Sequence, residues 1–260
     1  MRKKTMDAIR AHAVAEYPRE CCGLVVMEGR REVYIPCANM AVGEEHFVLS
    51  GDDYAAAEEA GKVVAVVHSH PDYPVAPSEA DRVACEAEGL PWYIVAVSKD
   101  DEGLIVAGEV RGFTPVGYQA PLLGRQFAHG VLDCYALVRD WYKRERGIDL
   151  PDFERTDGWW EPGREGDLYM ENYVSAGFRP LKSGEDIAVG DMIVMQVRSD
   201  RANHAGVFLG GEKLQEAPGL FAVPDAMLHH LYGRQSERVV YGGYWRDATR
   251  LVLRHKELDQ

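Results

Sequence analysis

Two histidines, a serine and an aspartate are spaced in the first half of the chain as H-x-H-x7-S-x2-D, at His68, His70, Ser78 and Asp81. Side chains two residues apart on a strand point to the same face, so both imidazoles can reach one ion. Two imidazoles and one carboxylate give zinc three ligands and leave its fourth position for water, as in catalytic zinc sites. Zinc lowers the pKa of such a water to about 7, and a base must still move protons. Glu20, which precedes a predicted strand, is the candidate base.

Each part of this pattern also has a structural interpretation. An H-x-H pair is common, and Ser78 followed by Asp81 is typical of a helix N-cap, in which the serine oxygen accepts a hydrogen bond from the first turn. Here the two motifs occur together, and Pro71 ends the strand directly after His70. The combination favours a metal site over the structural interpretation.

A cysteine in the second half, Cys134, lies at the first turn of a predicted helix that ends at Gly147. The positive end of a helix dipole stabilises a thiolate, which is the nucleophilic form of cysteine. Such a nucleophile needs an imidazole partner and a third polar group that orients the imidazole. His204, at the start of a predicted strand, is the candidate base, and His229 is the candidate orienting residue. A buried structural cysteine and a surface histidine are the alternative interpretation.

Two sets of predicted elements must position these residues. In the first half the pattern predicts helices over residues 3–16, 52–60 and 78–88, and strands over 22–27, 32–36, 62–68, 92–97 and 104–110. The apolar run at residues 63–67 is typical of a strand that is buried on both faces. Strands that alternate with helices predict an α/β domain over residues 1–112.

The second half begins after a segment rich in glycine and proline, residues 111–124, and we place the domain boundary between residues 112 and 113. The pattern then predicts helices over 134–146 and 167–176, and strands over 192–197, 204–209 and near Met227 and Leu251. Helices followed by strands predict an α+β domain over residues 113–260.

Composition limits the function classes. The chain has 260 residues and a net charge of −13, and an acidic protein repels phosphate backbones, so we expect no nucleic-acid partner. The sequence lacks a run of roughly eighteen or more apolar residues, so we expect no membrane span. Charged residues, rather than an apolar segment, follow the basic N-terminus, so we expect the protein to stay in the cytoplasm where it is made.

The stretch PRECCGL at residues 18–24, the H-S-H-P motif at residues 68–71, Ser78 and Asp81 together resemble the JAMM (Mov34/MPN) metallopeptidase family. The resemblance covers about residues 1–112, and every position of the motif is present. It implies a JAMM-like α/β fold that holds zinc through the two histidines and the aspartate. It also implies Glu20 as general acid and base and Ser78 as a donor to the oxyanion. Members of this family cut peptide or isopeptide bonds.

Two stretches of the second half, LGRQFAHGVLDC at residues 123–134 and NHAGVFLG at residues 203–210, resemble NlpC/P60 peptidases. The resemblance covers about residues 118–255. It implies a papain-like α+β fold, with Cys134 as nucleophile and His204 as base. These peptidases commonly cut peptidoglycan stem peptides.

The second half departs from the common NlpC/P60 pattern at two places. The family motif continues with serine and glycine after the cysteine, whereas Tyr135 and Ala136 follow here. Phe127 occupies a position at which many members have a tyrosine that faces the substrate. Other aromatic residues pack the second core, line a substrate groove or bind another protein, and these are Trp159, Trp160, Tyr169, Tyr173, Tyr241, Tyr244 and Trp245.

The third residue of the cysteine site has three candidates. In the family it lies about a dozen residues after the histidine, which here is near Glu216. Residues 211–226, which contain two prolines and two glycines, are predicted to form an inserted loop, so His229 is the predicted third residue. His230 is the remaining alternative.

A JAMM-like domain followed by an NlpC/P60-like domain resembles the tail-assembly protein K family of long-tailed phages. The stretches PLLGR at residues 121–125, HHLYGR at 229–234 and YGGYW at 241–245 add to this resemblance. It implies a bifunctional peptidase that acts in tail assembly, in cell-wall penetration, or in both. The implied partners are peptidoglycan peptides and other tail-tip proteins, and the implied locations are the host cytoplasm during assembly and the virion tail tip. A structural assembly factor and a protease that processes a tail protein are the alternatives.

Overall fold

A computed structural model describes residues 1–42, 46–164 and 166–259. Within these ranges the chain divides into two units, Met1–Gln119 and Ala120–Gln260, and the division falls inside the segment rich in glycine and proline at residues 111–124. None of the helices in the described ranges has the length and apolar character needed to cross a lipid bilayer.

The first unit is built around one mixed sheet. Its elements in chain order are α1 (Lys3–Glu16), β1 (Cys22–Glu28), β2 (Arg31–Cys37), α2 (Gly51–Ala60), β3 (Lys62–Pro71), α3 (Glu79–Glu88), β4 (Trp92–Lys99) and β5 (Ile105–Phe113). The strand order is β2-β1-β3-β4-β5, in which only β3 and β4 pair in parallel. This parallel pair is connected through α3, which carries Asp81 back to the end of β3.

Apolar side chains cover both faces of the central strand β3. Val67 packs in a core cluster with Ile9 and Ala13 of α1. Its neighbour Val66 points the other way and packs in a second cluster that includes Cys85 of α3. Because successive strand residues face opposite sides, burial of both faces requires the continuous apolar run that precedes His68.

The second unit contains one antiparallel sheet. Its elements are α4 (Cys134–Trp141), α5 (Leu168–Asn172), β6 (Phe178–Pro180), β7 (Met192–Met195), β8 (His204–Gly210), β9 (Ala226–His229), β10 (Glu237–Val240), α6 (Tyr244–Ala248) and β11 (Thr249–His255). The strand order is β10-β9-β8-β7-β11-β6. Helix α4 packs against β8, and Leu137 and Trp141 lie with Val207 in the largest core cluster. This packing brings the start of α4 to the strand that begins with His204.

The predicted helices of the second unit differ from the observed ones at their ends. The α-helix that begins at Cys134 ends at Trp141 and continues as a π-helical turn over Tyr142–Arg146. This turn makes tertiary contacts, since the Tyr142 ring packs against Phe178 and His255. The helix predicted over 167–176 is shorter and spans only Leu168–Asn172. Before β6, the Gly177 amide bonds to the Val174 carbonyl and the Phe178 amide to the Tyr173 carbonyl, which are not the spacings of an α-helix.

The sequence pattern did not predict the shortest helices and strands. Strands β6 and β10 and helix α6 have three to five residues each, which is too few to show a periodicity. The strand predicted over 192–197 ends at Met195. Beyond this end, the side chain of Asn203 accepts from the Val197 amide and donates to the Val197 carbonyl, at 2.8 and 3.0 Å. These bonds close a loop, and His204 follows Asn203 directly at the start of β8.

Candidate functional site

The three predicted metal ligands converge in the first unit. His68 and His70 lie two residues apart on β3, and Asp81 lies in the first turn of α3. The Nε2 atoms of the two histidines are 3.1 Å apart. The Asp81 carboxylate oxygens lie 3.2 Å from Nε2 of His68 and 3.4 Å from Nε2 of His70. Three donor atoms therefore point at one location that is mostly shielded from solvent.

These separations match the geometry of a tetrahedral metal site. Bonds of about 2.0–2.1 Å to a tetrahedral ion put neighbouring ligand atoms about 3.3 Å apart. Burial raises the pKa of Asp81, but its hydrogen bonds with His68 and His70 outweigh burial and hold that pKa below its usual range. The aspartate is therefore a carboxylate, and the donor set fits a divalent cation.

Neighbouring groups hold the two imidazoles in orientations suited to metal binding. Nδ1 of His70 donates to the carbonyl oxygen of Pro74 at 2.7 Å, which leaves the Nε2 lone pair directed at the cluster. The His68 ring stacks on Phe47, with ring centroids 4.8 Å apart, and meets the edge of Trp92 at 5.6 Å. Nδ1 of His68 has no hydrogen-bond partner among the described residues, so aromatic packing holds this ring.

Glu20 lies in the electrostatic neighbourhood of the cluster. The next residue, Cys21, is tied to Ser69 by two hydrogen bonds, from the Cys21 amide to Ser69 Oγ at 2.8 Å and from the Ser69 amide to the Cys21 carbonyl at 3.0 Å. Ser69 separates the two histidine ligands. Burial raises the pKa of Glu20, and the charges of His68 and His70 oppose this rise. The position suits a proton carrier beside the cluster, and the acid–base role stays a prediction.

Ser78 forms the N-cap of α3. Its hydroxyl accepts from the Asp81 amide at 3.1 Å, and its own amide donates to the Asp81 carboxylate at 2.7 Å. This reciprocal capping box fixes the backbone of a metal ligand. The cap by itself explains the serine, so its role as an oxyanion donor also stays a prediction.

The predicted nucleophile of the second unit is the first residue of α4. Asp133 caps this helix, and its buried carboxylate accepts from the amides of Ala136 and Gly130 at 2.8 and 3.0 Å. The Nε atom of Arg155 donates to the same carboxylate at 2.6 Å. A buried ion pair and a cap therefore determine where the backbone presents Cys134.

His204 and His229 are in direct contact. Nε2 of His204 lies 3.0 Å from Nδ1 of His229, and both side chains are buried. The ring of Trp245 packs against His229 with centroids 4.5 Å apart. A contact between the Cys134 sulfur and the backbone of Ala205 brings the sulfur next to the residue that follows His204. The three predicted residues are thus assembled at one end of β8.

The ionisation of this site differs from the sequence expectation. The helix dipole favours a lowered pKa for Cys134, but burial raises the pKa of this thiol to about 11. Burial also lowers the pKa of His204 well below its usual value, with the neighbouring His229 and His230 acting in the same direction. Desolvation penalises both charged forms, and it therefore favours a neutral thiol at Cys134 and a neutral imidazole at His204.

Two family models match the two units. The model for prokaryotic homologues of the JAB domain matches residues 2–107. The model for the NlpC/P60 family matches residues 124–254. The predicted order of a JAMM-like domain followed by an NlpC/P60-like domain is therefore confirmed.

Relatives cover nearly the whole chain. Tail tip assembly protein K of Escherichia phage N15 is 44% identical over 259 residues, which are 99% of this chain and 97% of that protein. This chain belongs to the tail tip assembly protein K family. Tail tip assembly protein K of Escherichia phage lambda is 34% identical over 210 residues, or 80% of this chain and 89% of that protein. A solution structure of a protein from Desulfitobacterium hafniense has 23% identity and a TM-score of 0.33, over 44% of this chain and 88% of that one.

In this member of the tail tip assembly protein K family, the three candidates for the third residue of the cysteine site have different surroundings. Glu216 accepts from the amides of Leu122 and Leu123 at 2.7 and 3.3 Å, and no contact brings it to His204 within the described residues. His230 turns to the carbonyl of Arg234 at 3.1 Å. Of the three candidates, His229 is the one that contacts His204, and its catalytic role stays a prediction.

A further polar neighbour of the nucleophile was not singled out from the sequence. The Tyr169 hydroxyl lies 3.2 Å from Sγ of Cys134. From the sequence, Tyr169 is one of several aromatic residues predicted to pack a core, line a groove or bind another protein. Phe127, at the position of the usual tyrosine, contacts the rings of His230 and Tyr232 instead. No local sequence signal links Tyr169 to Cys134, because the two residues lie on separate helices.

Proposed function

We propose that this chain is a bifunctional peptidase of the phage tail tip. A thiol peptidase site at Cys134, His204 and His229 would cut peptidoglycan stem peptides, and a metal peptidase site would cut a peptide or isopeptide bond. The observation that carries the proposal is the 3.0 Å contact between His204 and His229 beside Cys134. Folding alone gives no reason to bury two imidazoles together next to a thiol at a helix start, because desolvation of polar groups costs free energy.

We infer roles for the individual nitrogen atoms from this contact. Nε2 of His204 is engaged by His229, so Nδ1 would accept the Cys134 proton. Nε2–H of His204 then donates to Nδ1 of His229, and His229 carries its own proton on Nε2. That nitrogen is buried without a hydrogen-bond partner among the described residues, and the carboxylate of Glu237 lies 3.9 Å from it. The carboxylate favours this tautomer of His229.

Peptide cleavage then proceeds by acyl transfer to sulfur. The thiol proton moves to Nδ1 of His204 as Sγ of Cys134 attacks the carbonyl carbon of the peptide bond. His204 returns the proton to the leaving amine nitrogen when the carbon–nitrogen bond breaks. Water then attacks the thioester, His204 takes a proton from it, and the sulfur leaves and regains that proton. A neutral resting pair suits this sequence, because His204 is an unprotonated base before substrate binds.

The first unit would hold zinc through His68, His70 and Asp81. Bound zinc supplies a Lewis acid and a water that is acidic enough to ionise near neutral pH. Glu20 lies beside the two histidines and would accept and return a proton. The exposed Ser78, at the start of α3, would donate to negative charge that develops on the substrate oxygen.

A role in the phage particle is inferred from the relatives, which are named tail tip assembly proteins. Other tail-tip proteins are the proposed partners, and the host cytoplasm during assembly and the virion tail tip are the proposed locations. The two enzymatic sites would act during assembly, during penetration of the cell wall, or at both stages.

Digestion of purified peptidoglycan tests the proposal. Wild type, Cys134→Ala and His68→Ala proteins are incubated with the wall polymer, and the soluble peptides are identified by mass spectrometry. Cys85→Ala, which removes a buried thiol from the first unit, is the matched control. We expect release of peptides by every protein except Cys134→Ala.

Two results would contradict the proposal. Release by Cys134→Ala at the wild-type rate would show that the thiol site does not cut the wall. Release by none of the folded proteins would overturn the wall-degrading function, and a tail protein would become the substrate to test.

A further inference from the structure

The sulfur of Cys134 has a polar neighbour that the proposed mechanism does not use. The hydroxyl oxygen of Tyr169 lies 3.2 Å from Sγ, within the range of a hydrogen bond that involves sulfur. Tyr169 is the second residue of α5 and only 8% of its surface is exposed. The hydroxyl is therefore held at the sulfur inside the protein rather than at its surface.

Packing fixes the Tyr169 ring in this position. The ring meets the edge of Tyr135 with centroids 6.2 Å apart and an interplanar angle of 81°. Trp159 packs on it at 6.2 Å. Asp167 caps α5 by accepting from the Met170 amide at 3.2 Å. Aromatic contacts and a capped helix thus hold the hydroxyl in place before any substrate arrives.

The direction of the hydrogen bond depends on the protonation state of the sulfur. While Cys134 carries its proton, either atom can donate. Once the proton has moved to His204, the sulfur can only accept, and the phenol must donate. Burial raises the pKa of Tyr169 well above its usual value, so the hydroxyl keeps its proton throughout. A hydrogen bond to an ionised acceptor is about twice as strong as a neutral one.

The charges around the sulfur make such a donor useful. Asp133 disfavours a thiolate at Cys134, while Arg155 and the backbone of Ala205 favour it. Arg155 is already paired with Asp133, at 2.6 Å, so its charge is largely compensated. Among the described residues, the Tyr169 hydroxyl is the side-chain group that lies within hydrogen-bond distance of Sγ.

We propose that Tyr169 is a further catalytic residue, whose hydroxyl donates a hydrogen bond to the Cys134 sulfur as it becomes the attacking thiolate. This inference rests on the proposed role of Cys134 as the nucleophile. Tyr169 makes and breaks no covalent bond, because the thiol proton goes to His204 and the phenol proton stays on oxygen.

Alkylation of Cys134 by iodoacetamide tests the inference without a peptide substrate. The rate is measured at pH 8 in the full chain, and the modified peptide that contains Cys134 is quantified by mass spectrometry. Tyr169→Phe keeps the ring and removes the hydroxyl. Tyr135→Phe is the matched control, because it removes a neighbouring hydroxyl that donates to the Pro151 carbonyl at 2.9 Å instead. Thermal unfolding confirms that both variants are folded.

We expect slower alkylation in Tyr169→Phe alone. Loss of a hydrogen bond to an ionised sulfur corresponds to about one to two units of thiol pKa. The more basic thiolate is also more nucleophilic, so the net rate falls about three- to tenfold. An unchanged or faster rate in Tyr169→Phe, or an equal fall in both variants, would overturn the inference. Failure of wild type to digest peptidoglycan would instead contradict the proposed function, and the alkylation rates would still decide the role of Tyr169.

Discussion

Nε2 of His204 and Nδ1 of His229 face each other at 3.0 Å across two neighbouring strands. In the antiparallel register of β8 and β9, His229 lies opposite Gly206, two residues from His204 on the same face. Diagonal neighbours on a sheet are within reach of each other when their side chains are aromatic. The pairing of β8 with β9 therefore creates the contact, and residues 211–225 form the connection that makes this register possible.

Replacement of His229 tests whether its Nδ1 orients His204. His229→Asn retains a side-chain oxygen that can accept from Nε2–H of His204, whereas His229→Ala removes the acceptor. We expect kcat/KM for a wall peptide to fall on the order of 100-fold in His229→Ala and clearly less in His229→Asn. Equal activity of wild type and His229→Ala would contradict the assigned role.

The buried histidines predict a loss of stability in acid. Burial lowers the pKa of His229 to about 4, so between pH 6.5 and 4 the unfolded chain binds a proton there that the folded chain does not. The free energy of unfolding must therefore fall as the pH drops through this window. A shift of this size corresponds to roughly 3 kcal/mol at pH 4.

Urea unfolding of the second unit in the full chain, at pH 7 and pH 4.5, measures this effect. His229→Asn removes one titrating group and keeps an acceptor for His204, so its stability should depend less steeply on pH. An identical pH dependence in wild type and His229→Asn would contradict the assignment of the effect to this histidine.

Metal binding should stabilise the first unit. A ligand at 100 times its Kd stabilises the folded state by about 2.7 kcal/mol, so zinc should raise the Tm of this unit and a chelator should lower it. Asp81→Asn should abolish the shift, since it replaces the carboxylate ligand. Asp101→Asn, at an exposed turn, is the control and should keep it. A zinc-dependent shift that survives Asp81→Asn would place the metal elsewhere.

Arg155 should contribute strongly to the stability of the second unit. It pairs at 2.6 Å with Asp133, and the two side chains are only 7% and 3% exposed. Arg155→Met would leave a buried carboxylate without its partner, which costs about 3–5 kcal/mol. Arg139→Met, which breaks a 2.7 Å pair with the half-exposed Asp152, should cost less than about 1 kcal/mol. Chemical denaturation of both variants measures the difference, and equal losses would contradict the account.

The metal ligands were predictable from local sequence. His68 and His70 follow an apolar strand, and Asp81 is tied to Ser78 by a helix cap, so periodicity and capping rules bring the residues together. The remaining feature is the parallel pairing of β3 with β4, which the helix between the two strands also predicts.

The cysteine site was less accessible to sequence reasoning. Resemblance to a family points to Cys134 and His204, and His229 is the predicted third residue. Counting along the chain leaves Glu216 as an alternative, which the structure holds against the amides of Leu122 and Leu123. An inserted loop breaks the relation between sequence distance and position in space. The contact of Tyr169 with Cys134 depends on how two helices pack, and no spacing rule describes it.

The ionisation state of the Cys134 thiol could not be predicted from the sequence alone. A helix start predicts a lowered thiol pKa, but the effect of the dipole is modest, about 0.3–2 kcal/mol. Burial of Cys134 outweighs it and raises the pKa to about 11. Burial is a property of the whole fold, so the sequence pattern could predict the location of the thiol but not its charge.

Selective inhibition of peptidoglycan digestion tests the central claim of two separate peptidase sites most directly. The full-length protein is treated with a zinc chelator or with a thiol alkylating agent, and soluble peptides are measured by mass spectrometry. The account predicts that release survives the chelator and is lost on alkylation, in parallel with Cys134→Ala. Release that is lost with the chelator and survives alkylation would contradict the assignment of wall hydrolysis to Cys134.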